Sequence, residues 1–309
     1  MLVVNCQQFC TFEPEMKKEL SILIPVYNAD CRQQVTELLR QASVIDGLEY
    51  EVIVADDESP DKELTALCRE ISQWKNCRFI ERDHHTGRAC MRNFLARQAR
   101  YEWLLFLDCD MGIKAGFIQR YLECDGSDVI DGGVSIGKGP DNNLRYLYEK
   151  ACEARHSAEE RSRQPFHHFH TANFLVRRNI LLANPFDERY RNYGYEDVFF
   201  GKQLAKQHIK ITHIDNPAGF DTFEDNPHFV QKTEEGLRTL HTFRADLKGY
   251  SNMLTFVDGI HISLVKRLIV WFHRLSGPFE RRRLCGSHPS LRIFNLYKLG
   301  YYLTLTKND

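Results

Sequence analysis

An α/β fold, a mostly parallel mixed sheet with helices on both faces, is the class this sequence predicts. Three observations carry the prediction. Short apolar runs alternate with amphipathic stretches over the first two-thirds of the chain. The runs are continuous rather than alternating, which marks strands buried on both faces. Several end in turn-formers or acids, as expected where the carboxyl ends of strands form a ligand rim. In order, "LSILIPVY" (20–27) reads as a strand and "CRQQVTELLRQAS" (31–43) as a helix. "EYEVIVADD" (49–57), "CRFIER" (77–82) and "EWLLFLD" (102–108) are further strands, separated by the helical "DKELTALCREISQW" (61–74) and "GRACMRNFLARQAR" (87–100). "DVIDGGVSIG" (128–137) reads as a strand with a Gly-Gly kink and "NLRYLYEKACEARHSAEERSR" (143–163) as one long polar helix. "TANFLVRRNILLANP" (171–185) is a strand and short helix, "YEDVFFGKQLAKQ" (195–207) a helix with acids in its first turn, and "IKITHI" (209–214) a closing strand.

Composition narrows the function classes. The chain has 309 residues, 43% of them hydrophobic, and a formal net charge of -1. That suffices for one large domain or a domain with an appendage and gives no whole-chain footprint for nucleic acid. No apolar run approaches the roughly 20 residues of a membrane-crossing helix. The N-terminus lacks a basic start and a long apolar stretch, so no signal peptide is expected. Ten cysteines without a Cys-x-x-Cys, Cys6 and Cys10 included, are expected to stay reduced in the cytoplasm. His167, His168 and His170 read as a solvated or substrate-facing loop before a metal cluster.

From about residue 245 the composition changes. Gly259 to Leu303 holds one acid, Glu280, against eight Lys and Arg, with Trp271, Phe272, Tyr297, Tyr301 and Tyr302 among its apolar residues. Two compatible readings follow: a membrane-surface element and a helical cap on the domain. The expected division is 1–245 and a helical extension at 246–309.

The candidate chemistry lies in pairs of acids. Asp108 and Asp110 follow a buried strand, and side chains two apart on extended backbone point the same way. They could grip one hard cation, Mg2+ or Mn2+; a solvated turn is the alternative. Asp56 and Asp57 end the second strand in the same way. Asp57 could accept a hydrogen bond from a nucleobase or ribose, with Ser59 capping the next helix. No Gly-x-Gly-x-x-Gly and no Gly-Lys-Ser/Thr loop occurs, which disfavours dinucleotide and P-loop sites. Glu196 and Asp197 open a helix, where acids are either dipole-stabilising or catalytic. Gly132-Gly133 allows either close ligand approach or a bulge, and Asn173 either acceptor binding or a turn.

Together "SILIPVYN" (21–28), "VIVADDESPD" (52–61), "GRACMRN" (87–93), "LLFLDCDM" (104–111) and "NYGYEDVFFGKQL" (192–204) resemble, in order and spacing, the family 2 glycosyltransferases of GT-A fold. The resemblance extends to bacterial members that build surface polysaccharides, including the closing "LYKLGYY" (296–302). It implies an inverting, metal-dependent hexosyl- or N-acetylhexosaminyltransferase. A UDP-linked nucleotide-sugar donor would give its sugar to a hydroxyl of a glycan or lipid-linked glycan. Pro25, Val26 and Tyr27 would line the base pocket and Asp57 would hold the base. Arg92 and Asn93 would lie near the sugar-diphosphate, Asp108 near the ribose and donor sugar, and Asp110 would be the principal ligand of Mg2+ or Mn2+. Asp197 would be the general base beside Glu196, and Tyr193, Tyr195 and Asn173 would shape the acceptor site. Related enzymes carry a metal-binding His after the last core strand; here Phe220 stands in its place, with Asp221 next to it. That departure motivates the alternative of a non-catalytic GT-A-like subunit that binds glycan or a partner. A nucleotidyltransferase is disfavoured because no glycine-rich basic loop follows "SILIPVYN". The expected location is the cytoplasm, with peripheral contact at the anionic inner face of the cell membrane.

Overall fold

The computed structural model describes residues 16–306. Cys6, Cys10 and most of the stretch read for a signal peptide lie outside them. The first seven elements are β1 (Glu19–Val26), α1 (Arg32–Ser43), β2 (Glu49–Asp56), α2 (Lys62–Cys68), β3 (Cys77–Glu81), α3 (Arg88–Gln98) and β4 (Trp103–Leu107). A two-residue β5 (Met111–Gly112), α4 (Phe117–Glu123), β6 (Val129–Asp131), β7 (Val134–Ile136), α5 (Leu144–Cys152) and α6 (Ala158–Arg163) follow. Next come β8 (Asn173–Arg177), α7 (Arg178–Ala183), α8 (Glu196–Lys206), β9 (Ile211–His213) and β10 (Ala218–Phe220). The chain ends in α9 (Asn226–Thr242), α10 (Arg244–Leu247), α11 (Asn252–Gly259), α12 (Ser263–Leu284) and α13 (Leu291–Leu305).

Seven strands form the main sheet in the order β3-β2-β1-β4-β8-β6-β9. β8 runs antiparallel to β4 and β6, and the other pairs are parallel. Alternation along each strand divides the core. Ile22, Ile24, Val52, Val54, Leu105 and Leu107 pack with Val35 and Leu38 of α1 and Ile118 of α4. Leu23, Ile53, Leu104 and Phe106 pack on the other face with Leu95 of α3 and Phe200 of α8. A one-residue slip would exchange the two faces, so the register is fixed from both sides. A small sheet, β5-β10-β7, lies at the rim.

Three elements depart from the sequence expectation. The segment 128–137 divides at Gly132-Gly133 into β6 and β7, which belong to different sheets. The expected long helix at 143–163 breaks into α5, a 3-10 turn (Glu153–His156) and α6. The cause is tertiary: Arg161, 1% exposed, donates to the carbonyls of His156, Asp131, Gly132 and Ile214 and pairs with Asp131 at 3.1 Å. Ser59 does not cap α2. Asp61 does, accepting from the amides of Glu63 and Leu64 at 3.0 and 3.1 Å, while Ser59 bonds Asp56.

Gly132-Gly133 is explained by packing. A Cβ on Gly132 would lie 2.3 Å from the Tyr121 hydroxyl and 2.6 Å from the Asn216 carbonyl, and one on Gly133, whose φ is +78°, would meet the Arg161 guanidinium at 2.5 Å. Gly132→Ala is therefore expected to destabilise the fold by roughly 1–3 kcal/mol, read as a lower urea midpoint at unchanged slope.

The C-terminal helices are built into the same body. Leu254, Val257, Val270, Tyr302 and Leu303 share a buried cluster with α8 and α9 residues. Leu284, Phe294 and Tyr297 bury a second cluster against Phe229 and Val230 of α9.

Candidate active site

Because β1, β2 and β4 are parallel, their carboxyl ends share one rim. β4 stops at Leu107, and Asp108 to Asp110 form a turn closed by the Met111 amide donating to the Asp108 carbonyl at 3.2 Å. The strand-alternation argument for the pair therefore does not apply; the turn brings the two acids together instead. Gln34 of α1 steadies it, donating to the carbonyls of Asp108 and Met111 at 2.8 and 2.7 Å. Cys109 packs toward the apolar side, and burial pushes its thiol up to about 12. Asp108 is half-buried and Asp110 exposed. Desolvation, followed by the neighbouring Asp108 charge, pushes the Asp110 carboxyl above its ordinary value.

Arg92 joins this turn to the start of α8. Buried to 1% exposure, it reaches Asp108 at 3.0 Å and Glu196 at 3.3 Å. Arg88, one turn earlier on the same face of α3, is exposed and lies 5.1 Å above the Tyr193 ring. The desolvation it suffers is outweighed by Asp108, Glu196, Tyr193 and Asp110, which hold its guanidinium above the usual value. α3 begins at Gly87, whose φ of +85° and contact with the Arg191 carbonyl exclude a side chain. The free amides of that helix end add to an anion-favouring corner.

α8 starts from a strained turn, with Gly194 at φ +95° and Tyr195 at φ +70°. Non-glycine residues adopt that region at a cost of roughly 1–3 kcal/mol, and here it aims two acids at the rim. Glu196 is buried, and burial and then Asp197 push its carboxyl up against the pull of Arg92. Asp197 is half-buried. Its Oδ1 accepts the Val198 amide at 2.7 Å, and His170 Nδ1 lies 3.9 Å from its Oδ2. Burial would raise the Asp197 carboxyl, but His170 and the Val198 amide prevail and hold it below the usual range. His170 is raised in return: burial opposes its charge and Asp197 supports it.

At the other end of the rim, Pro25 and Val26 complete β1 and Tyr27 is 52% exposed, its ring centre 4.7 Å from that of His85. Asp57 is buried, and its carboxylate accepts from the Thr86 amide and hydroxyl and the Gly87 amide at 2.8–2.9 Å, with His85 Nδ1 at 3.0 Å. These contacts account for the roughly four acceptor positions of a carboxylate, so Asp57 here orders the His85–Gly87 turn beneath Tyr27. Asn93 is also occupied, exchanging hydrogen bonds with the Phe186 backbone and donating to Glu188. Asn173 is fully buried and pins Gly133 and Asn216 through their carbonyls while accepting from Tyr121. It lies inside the sheet and not on an acceptor surface. Tyr195 packs half-buried on the core, and Tyr193 alone of the two tyrosines lines the rim. α9 holds Tyr193 in place, Glu235 accepting its amide at 2.8 Å and Thr239 donating to its carbonyl at 3.0 Å.

Residues 21–183 match the model of glycosyl transferase family 2. The chain belongs to that family. Among curated relatives it is similar to chondroitin synthase of Escherichia coli, 27% identical over 225 residues (61% of this chain, 32% of the relative). It is also similar to chondroitin synthase of Pasteurella multocida, 25% identical over 222 residues (60% and 23%). The chain thus spans a third or less of those relatives' lengths. Among solved structures it resembles the mannosyltransferase PcManGT of Pyrobaculum calidifontis in complex with GDP-Man and Mn2+, with a TM-score of 0.52, 14% identity, and 96% and 87% of the two chains covered. The architecture is the GT-A-like mixed α/β fold with a C-terminal helical extension.

Phe220 ends β10 opposite Met111 of β5, packed edge-on to Phe223 with Arg145 over its face. The antiparallel pairing ends there, and Asp221 follows just beyond β10. The Asp221 carboxylate now rests against Gly112, Gly137 and Gly219, where any Cβ would come within 2.0–2.9 Å of it. Among the described residues no three His, Cys, Asp or Glu side chains converge on a ligand point. The donor set still fits a hard cation of the Mg2+ type, which takes one or two carboxylates and completes its shell with phosphate oxygens and water. Asp110 is raised first by desolvation and then by the neighbouring Asp108, with Arg88 opposing.

Two residues of the site escaped the sequence reading. Arg88 is marked in the sequence only by its spacing of four from Arg92 on one helix. His170 reads as part of one loop with His167 and His168, and nothing in the sequence links it to Asp197.

Proposed function

We propose that this protein is an inverting glycosyltransferase that moves a sugar from a nucleotide-sugar donor, UDP-linked, to a hydroxyl of a growing cell-surface glycan. The observation that carries the reading is Arg92, which couples the Asp108–Asp110 turn to the Glu196–Asp197 turn at one rim. Asp197 takes the proton of the acceptor hydroxyl as that oxygen bonds the anomeric carbon, and the bond to the nucleoside diphosphate breaks on the opposite side. A carboxylate suits this task because the hydroxyl alone is a weak nucleophile. Arg88 and the amino end of α3 face the departing diphosphate. A Mg2+ or Mn2+ ion held by Asp110 with Asp108 would neutralise diphosphate charge. Tyr27 and the ordered His85–Gly87 turn flank the base, and Tyr193 shapes the acceptor side. The acceptor class is a glycan carried on lipid, met at the cytoplasmic face of a membrane.

Release of nucleoside diphosphate from a panel of UDP-, GDP- and dTDP-sugars, with and without Mn2+, tests the proposal. Turnover with one donor is expected; none with any donor would overturn it. The second reading, a binding subunit without turnover, rests on Phe220, and metal-dependent UDP binding by calorimetry without transfer would favour it. Asp110→Asn is expected to weaken Mn2+ binding in the presence of UDP by at least roughly tenfold, read by electron paramagnetic resonance. His170→Gln removes the cation that lowers Asp197 while leaving the desolvation that raises it. The acid limb of the kcat/KM profile should then move to higher pH, and an unmoved limb would exclude Asp197 as the titrating base.

A further inference from the structure

We propose that α12 is an interfacial helix that seats the protein on an anionic lipid bilayer. Leu264, Leu268, Trp271, Leu275 and Phe279 are 62%, 55%, 61%, 57% and 75% exposed. Their spacing of four, three, four and four places them on one face of the helix. The opposite face is already used: Val270, Gly277 and Leu284 are buried, and Gly300 of α13 approaches so closely that a Cβ there would lie 2.5 Å from His273. A helix of a folded domain that is apolar on both faces lacks a partner on one of them.

Charge selects the occupant. Exposed Arg267 and Arg274 flank the apolar stripe on one edge, seven residues apart, and Arg282 and Arg283 are exposed near its end. The one acid of the helix, Glu280, is buried and bonded to Ser276. A second copy of the chain would set these guanidiniums against their own equivalents with no carboxylate on the helix to answer them. Phosphate headgroups answer them directly, and an acyl boundary accepts Trp, Phe and Leu. No helix among the described residues is long and apolar enough to cross a membrane, so the helix lies along the surface.

The docked helix is wired to the rim through adjacent residues of α9. Glu234 accepts from Arg281 of α12 at 2.8 Å and from Tyr297 of α13 at 2.6 Å. Glu235, its neighbour, holds the Tyr193 amide. The docking stands apart from the transferase reading; its use, presenting the Tyr193 turn to a lipid-borne acceptor, rests on that reading.

The test is flotation of the full chain with vesicles of phosphatidylcholine alone and of phosphatidylcholine mixed with phosphatidylglycerol. Binding to the mixed vesicles is expected, weakening as salt rises. The pair Arg267→Glu and Arg274→Glu should bind them about tenfold more weakly or worse. The pair Trp271→Ser and Phe279→Ser should lose binding to the mixed vesicles. All four positions are solvent-exposed, so unchanged thermal melting certifies the fold. Failure of the parent chain to bind, variants that bind as well as it does, or a parent dimer that the Trp271 and Phe279 variant splits into monomers would each overturn the proposal. Nucleoside diphosphate release with a soluble acceptor should be unchanged in these variants. A chain that binds vesicles but releases no diphosphate would sink the transferase reading and leave the docking intact.

Discussion

Asp197→Asn should reduce turnover by about 10^2 to 10^4 with donor binding retained. The substitution keeps the shape and the Oδ1 that accepts the Val198 amide, so the start of α8 has no reason to move. What it removes is the acceptor of the proton. His170 offers a second readout independent of activity. It is charged more readily than usual because Asp197 lies beside it, against the opposing effect of burial. With Asn in place, burial acts with less opposition, and the His170 pKa should fall, followed by proton NMR of the imidazole. The stability consequence has a definite sign. Asp197, lowered in the fold, contributes stability that is lost as pH falls through its folded pKa, and His170, raised, contributes stability that is lost as pH rises through its own. The parent should therefore exceed Asp197→Asn in stability most clearly between those two limits. Unchanged turnover in the variant, with the imidazole shifted as expected, would leave the pair intact as structure and remove Asp197 from the chemistry.

How much of this was legible in the sequence depended on whether a residue's role is local. β1, β2 and β4 were readable because strands buried on both faces must be apolar throughout. β5 and β10 were not, since two or three residues carry no period. The break at Glu153–His156 was hidden because its cause, Arg161 reaching carbonyls of Asp131, Gly132 and Ile214, lies in partners up to 53 residues away. The acids at 108, 110, 196 and 197 stood out because a strand end and a helix start place them at the rim, although a turn and not strand alternation sets how Asp108 and Asp110 point. Asn93 and Asn173 show the converse. An amide looks the same in the sequence whether it faces a ligand or satisfies buried carbonyls, and here both are consumed by backbone. The extension 246–309 was recognised as basic and apolar, yet composition alone could not say that α12 carries two apolar faces and buries only one.

Arg92→Leu should be the most destabilising substitution at the site, by roughly 3–5 kcal/mol. The guanidinium is buried between Asp108 and Glu196, and removing it leaves a buried carboxylate without its cation. A buried ion pair is costly to assemble but costlier to break halfway. Arg92→Lys should recover little, because a single ammonium cannot span two carboxylates as the guanidinium fork does. The pH dependence identifies the cause. Burial and Asp197 already raise Glu196, and Arg92 opposes them; without Arg92 its folded value rises further. A carboxyl raised in the fold favours the native state only while protonated, and it costs stability as pH climbs above the unfolded value. The gap between parent and Arg92→Leu should therefore narrow in acid and widen toward alkaline pH, measured as urea midpoints across the range. A gap that stays constant would mean that the loss is one of packing on Phe186, whose ring lies 5.7 Å from the guanidinium, and that the charge bridge contributes little. A gap that widens with pH would mean that the same ion pairs that align the two acidic turns are what hold this rim of the sheet together.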